Sequence, residues 1–284
     1  MKINTLRGID TKDILNVFNE SFSDYFIPFQ LTEEQLVSKM LADKVNLNLS
    51  VGVFEHKKLV AFILHGFDKI NNQKIVYNGG TGVIPKKRGF GLTKQMYDFI
   101  LPVLEEKGIN ELLLEVITKN TPAIKSYKKS GYKIERELSC YKGEVIVSNL
   151  NHNIEISNLR DYNWSVMQSF WDITPTWQNS NNVVNQLKNT NISLGAYIKN
   201  QLVGYIIYNP KNKRLQQIAI DKGFRQQKIA STLISKLIEN YGSTFSIINV
   251  DKSSKTVDAF LQKIGFEKNL EQLEMKLQLD KNQC

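Results

Sequence analysis

The order of secondary-structure signals in this chain runs through twice. From Lys2, and again from Ile154, a strand-like segment leads into amphipathic helical stretches and then a run of three β-rich segments. A basic turn, a long helix, another strand and a short helix closed by glycine complete each round. Periods of 2 and 3.6 alternate throughout, which predicts a mixed α/β architecture. A repeat of about 140 residues is far too long for a solenoid and signals a duplicated domain. A length of 284 residues is enough for two cores. The polar stretch 148–153 suggests domains at 1–147 and 148–284, each a mixed, mainly antiparallel sheet flanked by helices.

In the first half, residues 2–6 read as a strand and Asp10 or Thr11 as the cap of a helix to Phe22, with Ile14, Val17 and Phe18 on one face. Thr32 with Gln35 is a capping box opening a helix to Leu41. Segments 47–54, 58–67 and 74–83 read as a meander, residues 85–106 as a helix after Pro85, and 111–117 as a strand. A helix over 122–129 ends at Gly131, and short strands are expected at 132–138 and 145–148. In the second half, strands are expected at 154–157, 192–198, 202–208, 215–220 and 244–250. Helices are expected at 164–171, 183–188, 225–239 and 255–263, the last closed by Gly265.

Several function classes drop out early. No apolar run approaches the roughly 20 residues of a membrane helix, and the start lacks the apolar core of a secretory signal, so a cytoplasmic location is expected. Cys140 and Cys284 have no metal-ligand spacing, and His56, His65 and His152 are scattered, so neither a metal site nor a disulfide framework is expected. Net charge is +9, with 21 Lys+Arg against 17 Asp+Glu in residues 1–147 and 16 against 11 in the remainder. Neither half is a basic tail; the charge is compatible with weak attraction to nucleic acid, but an anionic cofactor would use it equally and solubility alone would account for it, so no nucleic-acid partner is expected. The clustered Phe22, Tyr25, Phe26 and Phe29, and Trp164, Trp171 and Trp177, read first as packing residues.

Chemistry concentrates in residues 82–93, where a strand end passes through Lys86, Lys87, Arg88, Gly89, Phe90 and Gly91 into a helix beginning Leu92-Thr93. Such a turn exposes backbone N–H groups at a helix N-terminus, and glycines let an anion approach them closely. It has neither the Gly-Lys-Ser/Thr of a Walker A loop nor the third glycine of a dinucleotide fingerprint.

About thirty residues later comes Asn120-Thr121-Pro122-Ala123, with Tyr127 and then Gly131-Tyr132. Together the two segments resemble the GCN5-related N-acetyltransferase (GNAT) superfamily. Its first motif is Arg/Gln-x-x-Gly-x-Gly/Ala and its second resembles Asn-x-x-Ala-x-x-x-Tyr-x-x-x-Gly-Phe/Tyr. Arg88, Gly91 and Thr93 occupy the first, Thr93 departing from the usual small residue.

The resemblance implies acetyl-coenzyme A as cosubstrate, without a metal. Val83, Arg88, Gly89, Phe90, Gly91, Leu92, Thr93 and Asn120 would contact it, and its pantetheine arm would run between splayed strands at 74–83 and 111–117. It implies direct acetyl transfer to a primary amine on a small molecule or peptide, with Tyr127 as general acid and Glu115 as base. These two are spaced as in the subgroup resembling ribosomal-protein N-terminal acetyltransferases. Asn120 could equally cap the following helix. A coenzyme A-binding module without turnover, acting as a sensor or assembly partner, is the alternative.

The second half keeps Arg225 and Ala230 but carries Lys228 where the first motif has Gly91, Leu261 in place of Tyr127, and Ser254 in place of Asn120. Leucine has no proton to donate. The second half therefore reads as a degenerate copy with a structural role, and the first as catalytic.

Overall fold

Capping and periodicity carry the N-terminal helices as expected: Asp10 accepts from the Lys12 N–H, and Thr32 with Gln35 completes the reciprocal capping box. The computed structural model describes residues 1–25 and 29–279. Phe26 and Cys284, both noted in the sequence, lie outside the described residues. In chain order the elements are β1 (Lys2–Thr5), α1 (Thr11–Ser21), α2 (Glu33–Ala42), β2 (Val51–Glu55), β3 (Lys58–Ile70), β4 (Gln73–Val83), α3 (Leu92–Glu106), β5 (Glu111–Ile117), α4 (Thr121–Lys129) and β6 (Lys133–Glu144). There follow β7 (Glu155–Asn158), α5 (Trp164–Ser169), α6 (Asn181–Gln186), β8 (Ile192–Ile198), β9 (Gln201–Asn209), β10 (Arg214–Ile220), α7 (Ile229–Tyr241), β11 (Thr244–Asp251), α8 (Lys255–Lys263) and β12 (Glu267–Gln278).

The chain forms two compact units, the first made of residues up to Glu135 together with those from Leu273 onward, the second of Arg136–Gln272. The division therefore differs from a cut at 147/148. The cause is strand pairing. β6 is one continuous strand rather than two short ones, and Leu138–Glu144 pair antiparallel with β11, which draws them into the second unit. Residues 145–148 are not a strand; the Val145 and Ile146 N–H groups bond instead to the Ser243 and Ile264 carbonyls.

In the first unit the strand order is β1-β2-β3-β4-β5-β12, with β1 to β4 antiparallel and β4 parallel to β5. One face packs Ile14, Val17 and Phe18 of α1 and Leu36 of α2 against Phe62 and Leu64. The other packs Met96, Tyr97 and Ile100 of α3 and Tyr127 of α4 against Ile63, Val76, Leu112, Leu114 and Val116. The last strand closes this second core: Met275 is fully buried and Leu279 nearly so. The alternation of Leu273, Met275, Leu277 and Leu279 is the sequence signal of this strand, which lies beyond the Gly265 at which the repeated order of elements ends.

In the second unit the order is β6-β11-β10-β9-β8-β7, with β10 parallel to β11 at Arg214 and Ser246 and the other pairs for which register is resolved antiparallel. Residues 225–228, expected to be helical, form a turn instead. Gln226 and Lys228 hold left-handed backbone, φ 61° and 64°, so α7 begins only at Ile229.

Candidate active site

The basic turn between β4 and α3 has the shape an anion requires. Gly89 and Gly91 adopt φ 82° and 70°, the left-handed region that glycine enters without steric cost. A Cβ at either would meet nothing within 4 Å, so the space above the turn is open. Gly91 is the N-cap of α3 and supplies no side chain to it, leaving first-turn N–H groups to meet an incoming acceptor. Leu92, 3% exposed, anchors the helix start in the core, Thr93 is partly buried, and Phe90 is exposed.

Two of the turn's three cations, Lys87 and Arg88, have protein partners. Lys87 pairs with Glu55 at 2.7 Å, and Arg88 grips both oxygens of Asp24 at 2.7 Å while also donating to the Ser21 and Val83 carbonyls. The hydrogen bond from Arg88 holds the Asp24 carboxyl below the usual carboxylate range. Arg88 thus ties the turn to the segment after α1, a task that spacing along the chain did not reveal.

Beside the turn, β4 and β5 part. Their parallel register runs only from Ile75/Glu111 to Tyr77/Leu113, although β4 continues to Val83 and β5 to Ile117. A bulge opposite Leu64 and His65 sits where they separate, inserting Gly79 between the paired Asn78 and Gly80. It shifts the alternation by one residue, so that Val76, Asn78, Thr81 and Val83 share one face.

Over this gap stands Tyr127, 8% exposed, on α4. Its phenol is pushed up to about 12 by burial, with hydrogen bonds from Thr81 and Asn78 acting in the opposite sense. Asn78 Nδ2 donates to Thr81 Oγ1 and to the Tyr97 hydroxyl, each at 2.8 Å. The Tyr132 hydroxyl donates to that of Tyr97 at 3.2 Å. The three rings meet edge to face at centroid distances of 5.4 to 6.4 Å. The alignment of Asn78 with Thr81 is a property of the sheet, set by the bulge, and Tyr97 joins them from α3, outside both motifs.

Glu115 lies on the other face of the sheet, since its strand neighbours Leu114 and Val116 belong to the core under Tyr127. Tyr77 donates its hydroxyl to Glu115 Oε2 at 2.5 Å, and burial followed by the Glu115 charge pushes the Tyr77 phenol well above its ordinary value. Asn120 is the N-cap of α4, its Oδ1 accepting from Ala123, and its Nδ2 donates to the Tyr25 hydroxyl at 3.3 Å. Phe22 packs on Tyr25 and Phe29, and Phe18 packs on Phe22 and Phe29. Cys140, 4% exposed, lies in the second unit.

Residues 12–132 match the profile of the Acetyltransferase (GNAT) family, and residues 168–276 that of the Acetyltransferase (GNAT) domain. The chain is a GCN5-related N-acetyltransferase family member with two such domains in tandem.

Three solved structures illustrate the likeness of this GNAT chain. A GCN5-related N-acetyltransferase from Sphaerobacter thermophilus superposes with a TM-score of 0.71 at 12% identity, covering 98% of this chain and 95% of the other. A tandem GNAT protein from the clavulanic acid biosynthesis pathway gives 0.71 at 10%, covering 98% of each. A protein described as a putative acetyltransferase from Pyrococcus horikoshii gives 0.69 at 13%, covering 98% and 89%. At such identities the likeness is one of fold. No curated protein matches the sequence significantly.

The second GNAT domain repeats the turn with different side chains. Lys228 occupies the helix-capping, left-handed position of Gly91, and Gln226 that of Gly89. Arg225 repeats the clamp of Arg88, donating to the Phe170 carbonyl and pairing with Asp172 at 3.0 Å. Leu261, 1% exposed, fills the position of Tyr127, and Ser254 caps α8 without a side-chain hydrogen bond.

Proposed function

We propose that the first unit is an N-acetyltransferase that passes an acetyl group from acetyl-coenzyme A directly to a primary amine on a small molecule or peptide. The observation that carries this reading is Tyr127, buried over the gap between β4 and β5 with Asn78 and Thr81 beside its hydroxyl. A thioester threaded through that gap would have Tyr127 on one face of the sheet and Glu115 on the other. The amine nitrogen bonds to the acetyl carbon, the carbon–sulfur bond breaks, and the proton lost by the amine matches the one gained by the thiolate. Acetyl-coenzyme A would supply the activated acetyl group and leave as the free thiol.

The open turn above Gly89 and Gly91 suits its pyrophosphate, which the α3 N–H groups would hold. Arg88 would keep the turn in place, with Phe90, Leu92, Thr93, Val83 and Asn120 around the arm. Burial keeps the Tyr127 phenol protonated at neutral pH, ready to serve the departing sulfur, while Thr81 and Asn78 would stabilise the phenolate left behind. Glu115, already hydrogen-bonded by Tyr77, would take the amine's proton directly or through water. The burial of Cys140 in the other unit supports transfer without a covalent enzyme intermediate.

The test is a coenzyme A-release screen of the full chain over polyamines, amino acids, aminoglycosides and peptide N-termini. At least one class should be turned over, and Tyr127→Phe should lower kcat by roughly 10²–10⁴-fold with acetyl-coenzyme A affinity nearly unchanged. Binding of acetyl-coenzyme A with no turnover of any class would leave the non-catalytic module instead.

A further inference from the structure

The second unit contains an open-mouthed cavity of about 760 Å³, lined entirely by residues between Ile146 and Ile264. It fills the gap where β10 and β11, parallel only at Arg214 and Ser246, diverge toward the Arg225 turn and α8. Volumes of roughly 300–1,000 Å³ are those of small-molecule sites. We propose that this cavity binds a small amphipathic anion, an apolar body carrying a carboxylate or phosphate head, which the unit holds without converting.

The apolar body follows from the walls, which include Phe170, Ile218, Phe224, Val257 and Phe260. The negative head follows from the ionisable lining. Asp172 is paired with Arg225, whereas among the described residues Lys228 and Lys263, both exposed at the mouth, enter no ion pair. Two ammonium groups are therefore left to meet an anion.

The head differs from a nucleotide's pyrophosphate for a steric reason. In the first unit the space over Gly89 and Gly91 is open to the backbone, whereas Gln226 and Lys228 project side chains from the matching positions. An anion here would meet the Lys228 ammonium at the end of its stem rather than the backbone N–H groups. Asn179 lines the cavity 6% exposed, and its Oδ1 accepts no hydrogen bond. Retention without conversion follows from Leu261, which puts a methyl-bearing chain where Tyr127 stands in the other unit.

All three tryptophans lie in this unit, and Trp171 lines the cavity, so intrinsic fluorescence reads its occupancy. The full chain would be titrated with 10-hydroxydecanoate and with decyl phosphate, by fluorescence and by calorimetry. A saturable signal below millimolar is expected from at least one, and the tighter of the two identifies the head. Lys228→Gly, which suits the left-handed backbone, combined with Lys263→Ala should weaken that probe about tenfold. Trp171→Phe should remove most of the fluorescence change while calorimetry still registers binding. Absence of calorimetric binding by both probes, affinity indifferent to the two lysines, or displacement of the probe by free coenzyme A would each overturn the proposal. None of these outcomes depends on whether the first unit acetylates an amine.

Discussion

Arg88 and Asp24 face each other through two 2.7 Å hydrogen bonds, which turn the arginine of the cofactor turn toward the segment after α1. Arg225 pairs with Asp172 in the second unit through a single contact of 3.0 Å. An arginine present at both turns, including the one with Gln226 and Lys228 in place of Gly89 and Gly91, acts as a clamp on turn geometry. Asp24→Asn and Arg88→Ala should therefore each raise the KM for acetyl-coenzyme A by roughly three- to tenfold, and the double variant no more than the larger single one. If Arg88 instead reached the pyrophosphate itself, freeing it with Asp24→Asn would leave KM unchanged or lower it. Steady-state kinetics on the three variants decides.

Gly91→Lys imitates Lys228. The left-handed backbone should cost it about 1–2 kcal/mol, leaving the chain folded. Acetyl-coenzyme A affinity in calorimetry should fall about tenfold or more, because the side chain enters the open space over the turn. Unchanged affinity in a folded variant would place the cofactor elsewhere.

His65 provides a pH signature. It is fully buried on β3, its Nδ1 assigned as donor to the Leu49 carbonyl at 2.8 Å, and Nε2 has no partner. Burial lowers its pKa from 6.5 to about 4. Because the unfolded chain binds this proton more readily, stability should be complete above pH 6.5 and decline as pH falls toward 4, by about 3 kcal/mol in all. Urea unfolding across that range should show the decline, and His65→Asn should flatten it.

Met275 tests the composition of the first unit. Met275→Ala removes a fully buried side chain and should cost about 2–5 kcal/mol, read as a lower urea midpoint. A chain ending at residue 147 lacks Leu273–Leu279 altogether and should unfold at lower urea than the intact first unit does. Equal stability of that fragment would show the last strand to be dispensable.

Much of the fold was legible because it is local. Capping at Asp10 and Thr32, the strand at Glu111–Ile117 and the glycine stop at Gly131 depend on residues within a few positions of one another. The helix expected from Arg225 failed for an equally local reason: nothing in Gln226 or Lys228 announces the left-handed backbone they adopt. The tyrosine cluster was half legible, since Tyr127 and Tyr132 stood in a recognisable motif. Asn78 and Thr81 share its face only because a bulge against β3 moved the alternation by one.

The sequence by itself determined the duplication, the open glycine turn of the first half, and the loss of glycine and tyrosine at the matching points of the second. Each of these is a matter of residue identity and short-range backbone freedom. Tertiary structure alone decided that the end of the last strand, from Leu273, belongs with the first unit, that Arg88 answers to Asp24, and that the β10–β11 gap opens into a cavity. These are pairings between segments tens to hundreds of residues apart. Local pattern marks such segments as strands or charged turns, but the free energy of packing and hydrogen bonding chooses their partners.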